Sequence, residues 1–240
     1  MYRSNFILPA ILMLAANMVL MHSTAAVESA ANVRADNANG QAIFDQGKGG
    51  APACGGCHGE KGLGMDAMEA PRLANIGEQY LVKQLEDYAS GKRTDPGGGA
   101  VMNDIAKALS AQDMLDVAAY SDTLEYVTDP SDLKALAADG RKIGNTKQGK
   151  TIMTRGIKGQ VPACQDCHGL SGRASNIPAI HQQKYVYLLN QLKRYRDGGR
   201  SNDRVVMKAG IMRGIAKKLS DDNIADLAAY LSTAATAESQ

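Results

Sequence analysis

Through most of the chain the apolar residues return at helical spacing, as in Tyr80, Leu81, Gln84, Leu85 and Tyr88, and again in Ile224, Leu227, Ala228 and Leu231. This is the one-sided stripe of an amphipathic helix, and no stretch alternates apolar and polar positions as a half-buried strand would. The pattern therefore predicts an all-α protein. Ser110, followed three residues later by Asp113, stands where a helix N-cap belongs, and Ser220 holds the same place before Asp221 and Asp222, whose carboxylates suit a helix N-terminus.

The first residues follow another rule. Arg3 gives a basic start, Phe6 to Ala16 is almost wholly apolar, and Ser23-Thr24-Ala25-Ala26 offers a small-residue cleavage site. Residues 1–26 read as a secretory signal, with the mature chain starting near Val27. An uncleaved anchor is the weaker reading, because Pro9, Asn17 and His22 interrupt the ~20 apolar residues a membrane span needs.

The pattern also repeats. Ala53-Cys54-Gly55-Gly56-Cys57-His58-Gly59 is matched by Ala163-Cys164-Gln165-Asp166-Cys167-His168-Gly169, a shift of 110 residues. Gly40-Gln41-Ala42-Ile43-Phe44 parallels Gly149-Lys150-Thr151-Ile152-Met153, and Tyr80-Leu81-Val82-Lys83-Gln84-Leu85 parallels Tyr187-Leu188-Leu189-Asn190-Gln191-Leu192. Met102 to Ser110 matches Met212 to Ser220, where the shift is again 110. A tandem duplication of one domain explains this. The turn-forming cluster Thr128-Asp129-Pro130-Ser131 places the boundary near Pro130, giving domains at residues 27–130 and 131–240.

Composition sharpens the picture at two points. Aromatic residues make up 5% of the chain and Trp is absent, while 44% is hydrophobic, so something other than aromatic rings fills the cores. All four cysteines lie in the two short motifs, which leaves none for a disulfide framework and assigns them to chemistry.

Cys-x-x-Cys-His is the attachment pattern of a c-type haem: the two-residue spacer lets both sulfurs reach one porphyrin edge while the His faces the iron. Paired zinc-binding motifs and thioredoxin-like redox pairs are the competing readings. The pairs lie 110 residues apart, whereas zinc knuckles keep theirs within about 15 to 20, and neither alternative needs a His after both second cysteines. Two covalently bound haem c groups are expected, held by Cys54 and Cys57 and by Cys164 and Cys167, with His58 and His168 on the irons. A carrier haem also wants its sixth iron position closed, and a Met thioether there raises the reduction potential. Met102 follows His58 by 44 residues and Met212 follows His168 by 44, which makes them the expected second ligands. A Met at helical spacing is often core filler, but the repeat register singles these two out. Met65 and Met68 have no Met counterpart in the second half, Met207 aligns with Gly97, and His181 aligns with Ala74, so all four are weaker candidates. Pro71 and Pro178, aligned in the repeat, are expected to offer carbonyl oxygens to the second ring N–H of each His.

With both haem motifs, both later Met residues and a Tyr-Leu-x-x-Gln-Leu segment in each half, the chain resembles the cytochrome c4 family of two-domain, dihaem class I cytochromes from about Gly40 to Ser232. The resemblance implies two all-α lobes, each wrapped on one haem, close enough to exchange electrons. It further implies periplasmic traffic from a quinol-oxidising complex toward a terminal oxidase. The runner-up role is the dihaem subunit of a dehydrogenase complex, such as flavocytochrome c sulfide dehydrogenase. A dihaem peroxidase needs an open iron position, and two Met ligands argue against it. The Gly97-Gly98-Gly99 run before Met102 has no match in the second half, so the first Met loop is expected to be the looser.

Charge adds a clue to partners. Residues 27–130 carry 8 basic against 16 acidic side chains, a net of −8, while residues 131–240 carry 18 against 9, a net of +9. Such separation can orient a protein toward charged redox partners by an effect that salt weakens; the carrier itself is expected either to diffuse freely or to associate peripherally with the membrane. Nucleic acid is not expected, since the basic half carries no recognised binding module.

Overall fold

The computed structural model describes residue 1 and residues 34–95, 98–169, 176–203 and 210–234. The expected secretory signal lies outside the described residues, as do Met207 and parts of the two Met loops (96–97 and 204–209), on which the expectation of looseness rests.

Each half begins with a glycine-bearing helix crossed by its last helix. In the first half α1 (Asn37–Gln46) leads to the short α2 (Gly55–His58), a 3-10 turn (Asp66–Met68), α3 (Glu78–Ala89), α4 (Gly98–Lys107) and α5 (Ala111–Thr123). A linker helix, α6 (Leu133–Ala138), has no counterpart among the described residues of the first half; the order then repeats as α7 (Thr146–Arg155), α8 (Gln165–His168), α9 (Tyr185–Asp197), α10 (Ile211–Ala216) and α11 (Asp221–Thr233). Among the described residues there is no strand, only three isolated bridges. The fold is two tandem units with the same order of helices, all-α among the described residues, as expected.

In each half the first helix packs on the last: α1 on α5, and α7 on α11. A Cβ at Gly40 would stand 2.1 Å from the Asp116 carbonyl oxygen, and one at Gly149 would stand 2.0 Å from that of Asp226. Only hydrogen fits at either crossing. The approach lets α1 bury Ile43 and Phe44 against Met114 and Val117 of α5. In the second half Ile152 and Met153 pack with Ile224 and Leu227. A methionine thus takes Phe44's place in the repeat, in line with the scarcity of aromatic residues.

The caps form as side chains compete for orphan helix N–H groups. Ser110 and Asp113 close a reciprocal capping box on α5. At α11 the partner of Ser220 is Asn223 rather than Asp221 or Asp222, because the third helical position alone can reach back to the cap's own N–H.

Candidate functional site

Cys54 to His58 forms a single helical turn: the His58 amide donates to the Cys54 carbonyl at 2.9 Å, and in the second half His168 does the same to Cys164 at 2.9 Å. One turn brings residues i, i+3 and i+4 onto one face, which is why two thiols and an imidazole at this spacing can address one flat group. The cysteines form no disulfide. Burial pushes the Cys54 and Cys164 thiols up to about 11.

His58 Nδ1 lies 2.8 Å from the Pro71 carbonyl oxygen, and His168 Nδ1 lies 2.9 Å from that of Pro178. A carbonyl only accepts, so each Nδ1 carries the proton and each Nε2 keeps its lone pair. Burial holds both rings below the usual histidine range, against a smaller upward pull from the proline carbonyls. Each His is therefore a neutral, oriented donor ligand.

Two cavities open beside these turns. The first, about 280 Å³, is lined by Cys54, Cys57, His58 and Met102, with Leu81 and Val117 among its apolar walls. The second, about 220 Å³, is lined by Cys164, Cys167, His168 and Met212, with Leu188 and Leu227. One water needs about 10–15 Å³ of such space, so these are cavities for a bound group rather than packing faults. Covalent anchor, imidazole, thioether and apolar walls together fit a haem c in each half. The chain carries two, each at one cysteine pair. Among the described residues no cluster of three or more His, Cys, Asp or Glu side chains could hold another metal ion.

The weaker candidates separate cleanly. Met68 reaches the first cavity's wall but is 49% exposed, and Met65 does not line it. His181 is half-buried and lies outside the second cavity's lining.

Sequence reasoning missed the wall between the cavities. Ile76, Tyr80, Gln84, Tyr187 and Gln191 line both. Arg93 Nη2 donates to the Tyr187 hydroxyl at 3.2 Å and to Gln191 Oε1 at 3.1 Å, while Arg200 Nη2 donates to the Tyr80 hydroxyl at 3.0 Å and to Gln84 Oε1 at 2.9 Å. Burial alone would raise the Asp95 carboxyl, but the Arg93 guanidinium outweighs it and holds the group below the usual carboxylate range. The signal was present in the sequence: Arg93 and Arg200 stand at the same 107-residue shift as Tyr80 and Tyr187. Further bonds tie the halves together, among them Arg72 N to Gln183 Oε1 at 2.7 Å and Val186 N to Asp66 Oδ1 at 2.8 Å.

A family model described as cytochrome c matches residues 37–125 and 131–235. A protein of Stutzerimonas stutzeri named thiosulfate dehydrogenase electron acceptor is 37% identical over 204 residues, which cover 83% of this chain and 88% of that protein. The crystal structure of reduced cytochrome c4 from Pseudomonas stutzeri superposes with a TM-score of 0.64 at 33% identity, covering 83% of this chain and 98% of that one. A thiosulfate dehydrogenase structure from Marichromatium purpuratum gives a TM-score of 0.70 at 29% identity; the match covers 82% of this chain but 40% of the larger one.

Proposed function

This chain belongs to the cytochrome c4 family of dihaem electron carriers, and on that premise we propose that it is an exported, non-catalytic carrier that takes electrons from a quinol-oxidising complex and delivers them to a terminal oxidase. His58 and Met102 hold the first iron, His168 and Met212 the second, within domains that meet near Pro130. Haem c supplies a one-electron iron couple. The chain's own residues fix each imidazole through Pro71 or Pro178, would offer the Met102 or Met212 thioether to each iron, and surround both sites with apolar side chains that keep water away.

The observation that carries this reading is the shared wall. Two cofactor cavities that have Tyr80, Gln84, Tyr187 and Gln191 in common suit a molecule that passes electrons between its own sites. An iron held by both His and Met would leave no open position for a substrate. The experiment is absorption and electron-transfer spectroscopy of the purified protein: six-coordinate His–Met signatures at both haems and reduction by a quinol-oxidising complex are expected. A five-coordinate or bis-His iron at either site overturns the corresponding ligand pair.

A second reading is favoured by the Stutzerimonas stutzeri relative, whose name makes it the electron acceptor of a thiosulfate dehydrogenase. In this reading the donor is a sulfur-oxidising dehydrogenase and the carrier's internal machinery is unchanged. Mixing the protein with such a dehydrogenase and thiosulfate, in parallel with a quinol-oxidising complex, decides between donors by which one reduces it faster.

A further inference from the structure

Each axial His is held by a proline carbonyl, and each of those peptides is held in turn by the opposite half. The peptide joining Pro71 to Arg72 takes the His58 Nδ1 proton at its oxygen, and its N–H, that of Arg72, donates to Gln183 Oε1 at 2.7 Å. The peptide joining Pro178 to Ala179 takes the His168 proton, and its N–H donates to the Ile76 carbonyl oxygen at 3.1 Å. Pro71, Arg72 and Ile76 match Pro178, Ala179 and Gln183 at one shift of 107 residues. The two hydrogen-bond chains are therefore reciprocal. Each starts on one half's imidazole and ends at the same repeat position of the other half, on a backbone oxygen in one case and a side-chain oxygen in the other.

Gln183 is held firmly in this role. It is buried, Oε1 also accepts from the Lys184 N–H at 2.9 Å, and Nε2 donates to the Arg72 carbonyl oxygen at 3.0 Å. Two donors face the amide oxygen and a carbonyl faces the nitrogen, so the side chain has one orientation. The turn that delivers it is unusual: Gln182 has φ 57°, in the left-handed region uncommon for a residue with a side chain, as has Asn75 before Ile76 at 58°. Gln182 is fixed there by its N–H to the Leu231 carbonyl at 2.8 Å, its Nε2 to that of Ala234 at 2.7 Å, and the Asp129 N–H to its Oε1 at 3.0 Å. Such backbone persists only where its surroundings impose it. Gln183 lines the second cavity and not the first, so its link to the first site runs through the Arg72 backbone.

We propose that Gln183 is a positioning residue for the first iron's axial ligand, acting from the second half through the Pro71–Arg72 peptide on His58. The proposal rests on the two-haem carrier reading above. A peptide whose N–H donates has a better acceptor oxygen, and bonds in such a chain strengthen one another by about 10–30% each. A better acceptor at Nδ1–H makes Nε2 the stronger donor to iron, which favours the more highly charged, oxidised metal. The link thus orients the ring and holds the first midpoint down. Its loss should raise that midpoint by a shift on the order of threefold in the reduction equilibrium, or about 30 mV for a one-electron couple.

The test is a redox titration of the full holoprotein followed by NMR, in which the axial Met and His resonances report each haem separately. Gln183→Met keeps the side chain's length and removes both polar atoms; the first midpoint should rise and the second should stay. Gln183→Glu keeps an oxygen for the Arg72 N–H and, above the pH at which that carboxyl ionises, should lower the first midpoint more than the second. A side chain acting only on the cavity it lines would do the reverse, moving the second haem and sparing the first. That result, or a first midpoint that fails to move as stated in a folded variant, overturns the proposal. If Gln183→Met does not fold because the Arg72 N–H is stranded, Gln183→Glu carries the test alone. The ferric His–Met absorbance band separates the two failures: its absence from the parent sinks the carrier reading, while its presence with an unmoved first midpoint sinks only this inference.

Discussion

Alanine at Gly40 or Gly149 tests the crossing that organises each half. The added methyl would stand 2.1 Å from the Asp116 carbonyl oxygen, or 2.0 Å from that of Asp226, where even tight contacts begin at 3.0 Å. Both obstacles are backbone of a helix, so neither can rotate away. The two helices must part by about 1 Å, and a gap of that size forfeits a quarter to a half of the dispersion attraction across it. The contacts at risk are those of Ile43 and Phe44 with α5, or of Ile152 and Met153 with α11. Overpacking costs ~1–3 kcal/mol, against which alanine's smaller unfolded-state entropy returns ~0.4–1 kcal/mol. A net loss of about 1 kcal/mol is expected for each variant. Guanidinium unfolding of the holoprotein measures it, with Gly214→Ala as the control, because a Cβ there meets nothing within 4 Å. That control should hold or gain stability. A loss below ~0.5 kcal/mol at Gly40 or Gly149, or one equal to the control's, would refute the packing argument.

Met102→Ala and Met212→Ala should each abolish the His–Met band of one haem, lower that haem's midpoint and spare the other; two intact bands in either variant remove that assignment. Burial tends to raise the Asp113 carboxyl, but hydrogen bonds from Lys48, Ser110 and Asn39 outweigh it and hold the group well below the usual range. Its stabilisation is therefore present above an ordinary aspartate's pKa near 4 and is lost as the pH falls below that value toward the folded one. Asp113→Asn should be less stable than the parent at pH 7, with the difference closing at strongly acid pH; a gap that does not shrink contradicts the sign. Electron-transfer rates with a charged physiological partner should fall as salt rises, given halves of −8 and +9; a flat response removes electrostatic steering.

Much of this architecture was legible because duplication prints it twice. Two matched haem motifs, two glycines 14 and 15 residues before their first cysteines and two Met residues 44 after their histidines mark the first helix, the haem-motif turn and the Met helix of each half. The Pro71 and Pro178 carbonyls could also be foreseen, since an oriented imidazole needs an acceptor and the repeat offers one at the same place. Elements without a repeat partner were harder. Helix α6 arises in the linker, where no second copy exists to compare. Asn223 was hidden behind two acids that look better suited to a helix start, although only its position can close the box. The wall of Arg93, Asp95, Arg200 and Asn202 was written in the register but not in any motif. Buried charge is rare enough that arginines following a helix read as surface until their partners are seen to come from the other half.

That shared wall also bears on how the molecule comes to be made. The first cavity borrows Tyr187 and Gln191 from residues synthesised more than a hundred positions after its own cysteines. A first domain without the second would therefore lack that side of its wall, so each cavity is complete only when both halves are folded.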